Sequence, residues 1–160
     1  MPDSLYEQDI LAWSAHQAEL LRRVGRGERV NGVDWEHAVE AIEDVGLSQL
    51  NAVRSSLRQM LVHVLKLQGW PHSVSANHCR QAVMAFQVEA EQRFAPSMRE
   101  RIDLGALYAG AVRQVRVAEI DGVPPQAWPE QCPVGLDALL NDDVTAPQAR
   151  FAAEAARLLP

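Results

Sequence analysis

The stretch LVHVLKLQGW, Leu61 to Trp70, is the most continuously apolar run of the chain, and the rest of the sequence is interpreted around it. It completes a stripe of apolar residues spaced three or four positions apart, as on one face of a helix. The stripe comprises Leu50, Val53, Leu57, Met60, Leu61 and Val64. Ser48 precedes this helix, and Gly69 with Pro71 stops it. Because its second half is apolar almost all round, the pattern predicts a central and mostly buried helix.

Two further helices are predicted upstream of that run. Ser4-x-x-Glu7 has the form of a capping box, and the helix after it ends at Gly25. Its stripe comprises Tyr6, Ile10, Trp13, Gln17, Leu20 and Val24. Asp34 is suited to cap the second helix, and Gly46 is placed as its C-cap. The apolar face of this second helix comprises Trp35, Ala38, Val39, Ile42 and Val45. We interpret both stripes as faces of a helical core.

Downstream, a fourth helix is predicted from about Ser75 to Phe94, and Ser97-x-x-Glu100 offers another capping box. The fifth helix is expected to end near Asp121-Gly122. The segment VPPQAWPEQCP holds too many prolines for regular structure. A short helical turn at Gly135–Leu140 and a final alanine-rich helix, Ala146–Leu159, complete the pattern.

These patterns predict an all-α fold, a bundle of five to seven helices in which residues 1–160 form a single domain. Its core is expected at about 4–121, with the Pro-rich loop and the C-terminal segment 122–160 packing on it. At 160 residues the chain is long enough to bury a core of its own. No segment reaches the ~20 apolar residues that span a bilayer, so we expect no membrane segment.

Composition bounds the classes of function. The N-terminus MPDSLYEQDI lacks the basic and apolar regions of a signal peptide, so a cytoplasmic location is expected. Cys79 and Cys132 match no metal or redox spacing, and in a reducing compartment they are interpreted as small buried side chains. The net charge of −6 argues against nucleic-acid binding, although Arg22, Arg23, Arg26 and Arg29 form a local basic cluster.

Three blocks of sequence resemble a bacterial family catalogued as domain of unknown function 29. The first is YEQDILAWSAHQAELLR, Tyr6 to Arg22, and the second joins VEAIEDVG, Val39 to Gly46, to LVHVLKLQ, Leu61 to Gln68. The third is PEQCPVGLDALLND, Pro129 to Asp142. One departure is that the family's pair of glutamates before the isoleucine is Glu40-Ala41 in this chain. The resemblance implies an all-helical bacterial domain, and it implies no activity.

The candidate functional residues are His63, Glu43 and Glu40. Carboxylates and imidazoles on neighbouring helices bind iron or manganese in bundle proteins, and these three residues with His37 or His78 form such a constellation. The candidate metal ligands are His63, Glu43, His16 and His78. If Gly46–Ser48 formed a tight turn, however, Glu40 would face Arg54, and Glu36 would face Arg58. His63 would then lie on the order of 15 Å further along, beyond shared coordination. We therefore expect no metal and no cofactor.

His63 is expected instead to satisfy its partly buried ring with a hydrogen bond to a loop carbonyl or a neighbouring side chain. Lys66, the only lysine, is expected to extend its amine to solvent from the flank of the helix. The sequence has no phosphate-binding glycine loop, no G-x-S-x-G and no H-E-x-x-H. The absence of a coherent catalytic set favours a non-enzymatic protein.

The leading functional hypothesis is a helical protein that acts by binding a protein partner or by forming a homo-oligomer. The amphipathic segment Ala146–Leu159 is the predicted partner-binding face. The alternative is a metal-dependent bundle enzyme that uses Glu43 with His16, His63 or His78. A weaker alternative is regulatory nucleic-acid binding through the Arg22–Arg29 cluster.

Overall fold

The computed structural model describes the backbone of residues 2–141 and 146–158, and the side chains of 5–140 and 148–157. The α-helices are α1 (Pro2–Gln8), α2 (Ile10–Gly25), α3 (Trp35–Gly69), α4 (Ala76–Arg93), α5 (Leu104–Arg116), α6 (Leu136–Asn141) and α7 (Ala146–Leu158). A 3-10 helix, Pro96–Arg101, lies between α4 and α5. These described ranges hold no β-strand, and the predicted all-α class is confirmed.

The first predicted helix is divided in two at Asp9. Its carboxylate accepts a hydrogen bond from the backbone amide of Ala12 at 2.9 Å, so Asp9 caps the start of α2. Helix α1 already begins at Pro2, and Ser4 therefore lies inside a helix. The predicted capping box at Ser4 is wrong.

The main correction concerns Gly46, which does not end a helix. Helix α3 runs without a break through all 35 residues from Trp35 to Gly69. A glycine inside a helix costs only about 1 kcal/mol relative to alanine, and Gly46 does not adopt the positive φ of a C-cap glycine. The tight turn at Gly46–Ser48 is therefore wrong, and the expected pairings of Glu40 with Arg54 and of Glu36 with Arg58 lose their basis.

The chain divides into two compact units, Met1–Ser48, the first unit, and Gln49–Pro160, the second unit. The boundary lies within α3, so this helix contributes residues to both. That all 160 residues form a single domain stays a prediction.

The second unit has a large apolar core built around its part of α3. Leu57, Leu61 and Leu65 are completely buried there. Phe151 and Ala155 of α7 are 1% and 0% exposed and belong to the same cluster. The apolar face of α7 is thus used within its own unit, and the prediction that the C-terminal segment offers this face to a partner is wrong.

The Pro-rich segment is fastened to the C-terminal end of α3 by hydrogen bonds. The indole of Trp128 donates to the carbonyl of Leu65 at 3.0 Å, and the indole of Trp70 donates to the carbonyl of Val123 at 2.7 Å. The amide of Gln126 donates to the carbonyl of Gly69 at 2.9 Å. The last of these bonds satisfies one of the carbonyl groups that a helix C-terminus otherwise leaves without partners.

The cap of helix α5 lies six residues later than the sequence signals indicated. The carboxylate of Asp103 accepts a hydrogen bond from the amide of Ala106 at 2.9 Å, and Asp103 is the cap. The capping box predicted at Ser97 lies inside the 3-10 helix, and α5 ends at Arg116 rather than near Asp121. Asp121 and Gly122 instead form a turn with positive φ angles of 56° and 69°.

Candidate partner-binding surface

In the first unit, a polar cluster joins α1 and α2 to the start of α3. The Asp34 carboxylate accepts hydrogen bonds from the Trp13 indole at 3.2 Å and the His37 ring at 2.8 Å. The side-chain oxygen of buried Gln17 accepts a hydrogen bond from the backbone amide of Asp34 at 2.9 Å. The His37 ring also stacks on Tyr6, with ring centroids 4.1 Å apart. The sequence signalled only the capping role of Asp34, because its other partners are remote along the chain.

Electrostatics in this cluster favour the ionised form of Asp34. Burial opposes ionisation, but the hydrogen bonds from His37 and Trp13 outweigh it and hold the pKa of the Asp34 carboxyl below its usual value. For Tyr6, burial and the nearby charge of Glu40 both raise the pKa of the phenol. The Tyr6 hydroxyl donates a hydrogen bond to Glu40 at 3.4 Å. Glu40, a candidate site residue, therefore contacts α1.

The candidate metal ligands do not form a coordination site among the described residues. Glu40, Glu43 and His16 belong to the first unit, whereas His63 and His78 belong to the second. Nowhere in the described part of the chain do three His, Cys, Asp or Glu side chains come together in a way that would hold a metal ion. Glu43 and His16 are exposed.

One ring nitrogen of His63 lacks the hydrogen bond that was expected. Its Nδ1 atom is buried without a partner in the described structure, and the prediction of a carbonyl or side-chain partner for that nitrogen is wrong. The ring stacks on Phe86 with centroids 5.9 Å apart and meets His78 edge-on at 6.0 Å. Burial is the main cause that lowers the pKa of His63, and the charges of Lys66 and His78 add to it.

The two thiols lack the environment of reactive cysteines. Cys79 is buried, Cys132 is partly buried, and both are free. Burial raises the pKa of both thiols, which disfavours the thiolate. The interpretation of these residues as small packed side chains is consistent with this geometry.

The arginine cluster is largely neutralised by neighbouring carboxylates. Arg22 lies 3.4 Å from Glu19, and Arg23 lies 2.7 Å from Glu28. Arg26 contacts both glutamates, at 3.7 Å and 3.0 Å. Because these guanidinium groups already have carboxylate partners, the cluster offers little unpaired positive charge to the phosphates of a nucleic acid.

Two of the surface cavities in the second unit have both acidic and basic residues in their lining. One of about 210 Å³ lies at the C-terminal end of α3, with His72 and Asp121 in its lining. Another of about 360 Å³ lies beside α5, with Arg113, Arg116 and Glu130 in its lining. Among the described side chains, no ion pair joins the ionisable groups of either cavity.

The apolar face predicted for residues 35–45 is exposed, which corrects its interpretation as core. We call its four large members, Trp35, Val39, Ile42 and Val45, the α3 apolar surface. Their exposed fractions are 57%, 52%, 70% and 66%, and only Ala38 from that predicted face is buried. At about 100° per residue, the four side chains fall within an arc of roughly 120° on one side of α3.

Acidic residues border the α3 apolar surface on one side. Glu43, Glu36 and Glu40 follow it around the helix within an arc of roughly 60°, at about 100° per residue. Beyond the other edge of the arc, Ala41 is partly buried in the first unit, whereas the small side chain of Ala38 is buried within the arc, between Val45 and Ile42. The surface is therefore an exposed apolar stripe with an acidic border.

The structure and surface define an all-helical protein with an exposed apolar and acidic helix face. The chain belongs to the family described as Domain of unknown function DUF29, whose sequence profile matches residues 5–145. The predicted family resemblance is thus confirmed.

A solved structure supports the same fold. The crystal structure of an alpha-helical protein of unknown function from Rhodospirillum rubrum ATCC 11170 is similar to this chain, with a TM-score of 0.68 and 33% identity. The match covers 97% of this chain and 98% of that chain. No curated protein matches the sequence. Neither the family nor the solved structure has an assigned function, as the resemblance implied.

None of the helices in the described ranges is long and apolar enough to cross a membrane.

Proposed function

We propose that this protein acts by binding a partner protein through the α3 apolar surface. The observation that carries the proposal is the exposure of Trp35, Val39, Ile42 and Val45, each more than half exposed, in successive helical positions. Single exposed apolar residues are ordinary on protein surfaces, but contiguous ones mark sites of interaction.

The small core of the first unit supports the same proposal. Among its described side chains, 5–48, the buried apolar ones are Trp13, Leu20 and Ala38. Leu5, Ile10 and Leu11 of α1 and α2 are also exposed, at 37%, 56% and 77%. A segment of 48 residues with so few buried apolar groups gains stability when a partner covers its remaining apolar side chains.

The expected strength of this contact can be bounded from area. The four side chains of the α3 apolar surface expose on the order of 400 Å², comparable with the largest patch of a typical monomer. Removing that area from water contributes roughly 10 kcal/mol at about 25 cal/mol per Å². Association itself costs about 4–15 kcal/mol. Burial of this surface is thus enough for a moderate or transient complex, and additional contacts set the affinity.

We also propose a bacterial and cytoplasmic setting. Support comes from the family resemblance and from Cys79 and Cys132, which are free thiols as expected in a reducing compartment. The metal-enzyme alternative has no comparable support, because the described residues bring no ligand set together.

The proposal is tested with a photoreactive amino acid placed at Ile42 in the native cell. The matched control carries it at Val117, which is 85% exposed in the second unit. A protein captured only at Ile42 is then purified and titrated against wild-type protein, Ile42→Ser and Val117→Ser. We expect Ile42→Ser to weaken binding about ten-fold, since a buried aliphatic side chain contributes about 1.5–3 kcal/mol, and Val117→Ser to leave it unchanged. Equal capture at both positions, or equal binding by both variants, contradicts the proposal.

A further inference from the structure

We infer that the partner segment covering the α3 apolar surface is a cationic amphipathic helix. This inference rests on the function proposed above and specifies the chemistry of the partner. It follows from the distribution of charge around the surface and from the spacing of its apolar residues.

The negative charge of the protein is concentrated in its first unit. Residues 1–48 contain ten acidic residues and four arginines, a net charge of −6 that equals the net charge of the whole chain. The remaining residues, 49–160, contain as many basic as acidic side chains. The surface with the exposed apolar stripe is therefore also the acidic part of the molecule.

The acidic border of the stripe lacks cations of its own. Between Val30 and Val53 the sequence has five acidic residues and no lysine or arginine. Among the described residues, no ion pair involves Glu36, Glu43 or Asp44. The arginines nearest in sequence are in the Arg22–Arg29 cluster, where three of the four already contact Glu19 or Glu28. Lysines or arginines from a partner would complete the charge pairing.

The same charges disfavour other occupants. In a symmetric contact of α3 with a second copy, the same patch meets itself, and the acidic border of each copy faces like charges. Such juxtaposition costs several kcal/mol, a large part of what the apolar area supplies. Nucleic acid and anionic bilayers are repelled for the same reason.

The spacing of the apolar residues fits a helix rather than an extended strand. Trp35, Val39 and Ile42 are separated by four and then three positions, as along the seam between two packed helices. A partner helix places its own apolar row into such a seam, with charged residues beside the row facing those of the other helix. Lysines at those flanking positions would face Glu36 and Glu43.

The test uses two synthetic probes of three heptads each, with leucine at the seam positions. One peptide carries lysine at the positions flanking the seam, and the control peptide carries glutamate there. Binding to the full chain is measured by fluorescence anisotropy of the labelled peptide. We expect the lysine peptide to bind at least about ten-fold more tightly, and its Kd to rise about ten-fold between about 50 mM and about 500 mM NaCl, as charge pairing is screened.

Two charge variants separate a local effect from the overall charge. The first is the triple variant Glu36→Gln, Glu43→Gln, Asp44→Asn, which removes three unpaired charges from the part of α3 that carries the α3 apolar surface, two of them at its acidic border. The second removes as many charges from exposed positions of the second unit, Glu91→Gln, Glu100→Gln and Glu119→Gln. We expect the first to weaken the lysine peptide about ten-fold and to flatten its salt dependence, and the second to change binding less than about two-fold.

Several results would overturn the inference. These are equal binding of the two peptides, no binding of either peptide, or equal weakening by both triple variants. A dimer of the wild-type protein that Ile42→Ser converts to a monomer would assign the surface to a second copy instead. If both peptides bind equally and Ile42→Ser weakens both, the surface docks partners without a preference for cations. If Ile42→Ser alters neither peptide binding nor the complex captured in cells, the proposed function itself fails.

Discussion

His63 lies in the most apolar part of the sequence, and replacing it with leucine should stabilise the protein. The ring packs on Phe86 and His78, but its buried Nδ1 has no hydrogen-bond partner among the described residues. A buried polar atom without a partner costs about 1–3 kcal/mol. Leucine keeps an apolar contact with Phe86 and removes the nitrogen. Since the His63 side chain is only partly buried, we expect a gain near the lower end of that range, about 1 kcal/mol at neutral pH.

The gain should increase in mild acid. Burial, with the charges of Lys66 and His78, lowers the pKa of His63, so the unfolded chain takes up this proton more readily than the folded protein. The free energy of unfolding of the wild-type protein therefore falls as the pH drops below about 6.5, the ordinary pKa of histidine. The His63→Leu variant lacks this contribution, and the difference between the two proteins widens.

The assay is urea unfolding followed by far-UV circular dichroism at pH 7.5 and pH 5.5, with unchanged m-values required for comparison. The control is His16→Leu, which replaces an exposed helical histidine of the first unit and should change stability by less than about 0.5 kcal/mol. If the His63→Leu variant were less stable than wild type at pH 7.5, the contacts of the ring would stabilise the protein by more than the unpartnered Nδ1 costs. A stability difference that does not depend on pH would refute the electrostatic reasoning.

Two other substitutions test the fold. Gly69→Ala should destabilise the protein by about 1–3 kcal/mol in urea unfolding, which is the usual cost of overpacking. The new Cβ would lie 3.0 Å from the Trp128 ring. In the control Gly110→Ala the nearest atom is 3.8 Å away, so this variant should be neutral or more stable by up to about 1 kcal/mol. Asp34→Asn should reduce the hydrogen-exchange protection of the amides at the start of α3 at neutral pH. That protection should then fall less on acidification than it does in the wild-type protein. The lowered pKa of Asp34 means that its contribution is present above about pH 3.9 and is lost as the pH falls through the folded-state value. Gly69→Ala as stable as wild type, or an unchanged acid profile in Asp34→Asn, would contradict these two readings.

Most helix boundaries could be predicted because their signals are local. Pro96 and the prolines after Val123 interrupt an α-helix whatever the rest of the fold. Ser75 precedes α4 close to the expected position. Gly46 was misinterpreted because glycine permits a helix end without requiring one. Asp103 was missed as a cap because Ser97-x-x-Glu100 offered a stronger local pattern, although the chain there forms a 3-10 helix.

The candidate surface was misassigned for a different reason. Val39 and Ile42 follow the same helical repeat of three or four positions as Val53 and Leu57, yet the first pair is more than half exposed and the second pair is completely buried. Periodicity identifies the apolar face of a helix, but it carries no information about what covers that face. Only the other elements of the fold decide this, and they are remote in sequence.

Charge was the one sequence signal that distinguishes the two faces. From Val30 to Val53 the acidic residues have no lysine or arginine among them, whereas Arg54 and Arg58 follow immediately in the buried half of the helix. An internal core interface gains nothing from uncompensated charge along its border, since like charges repel and lower stability. A partner with complementary charge gains both attraction and specificity from the same arrangement. An apolar stripe with one-sided, unpaired charge is therefore better interpreted as a docking surface than as a core face, which is the criterion that the peptide and charge variants test directly.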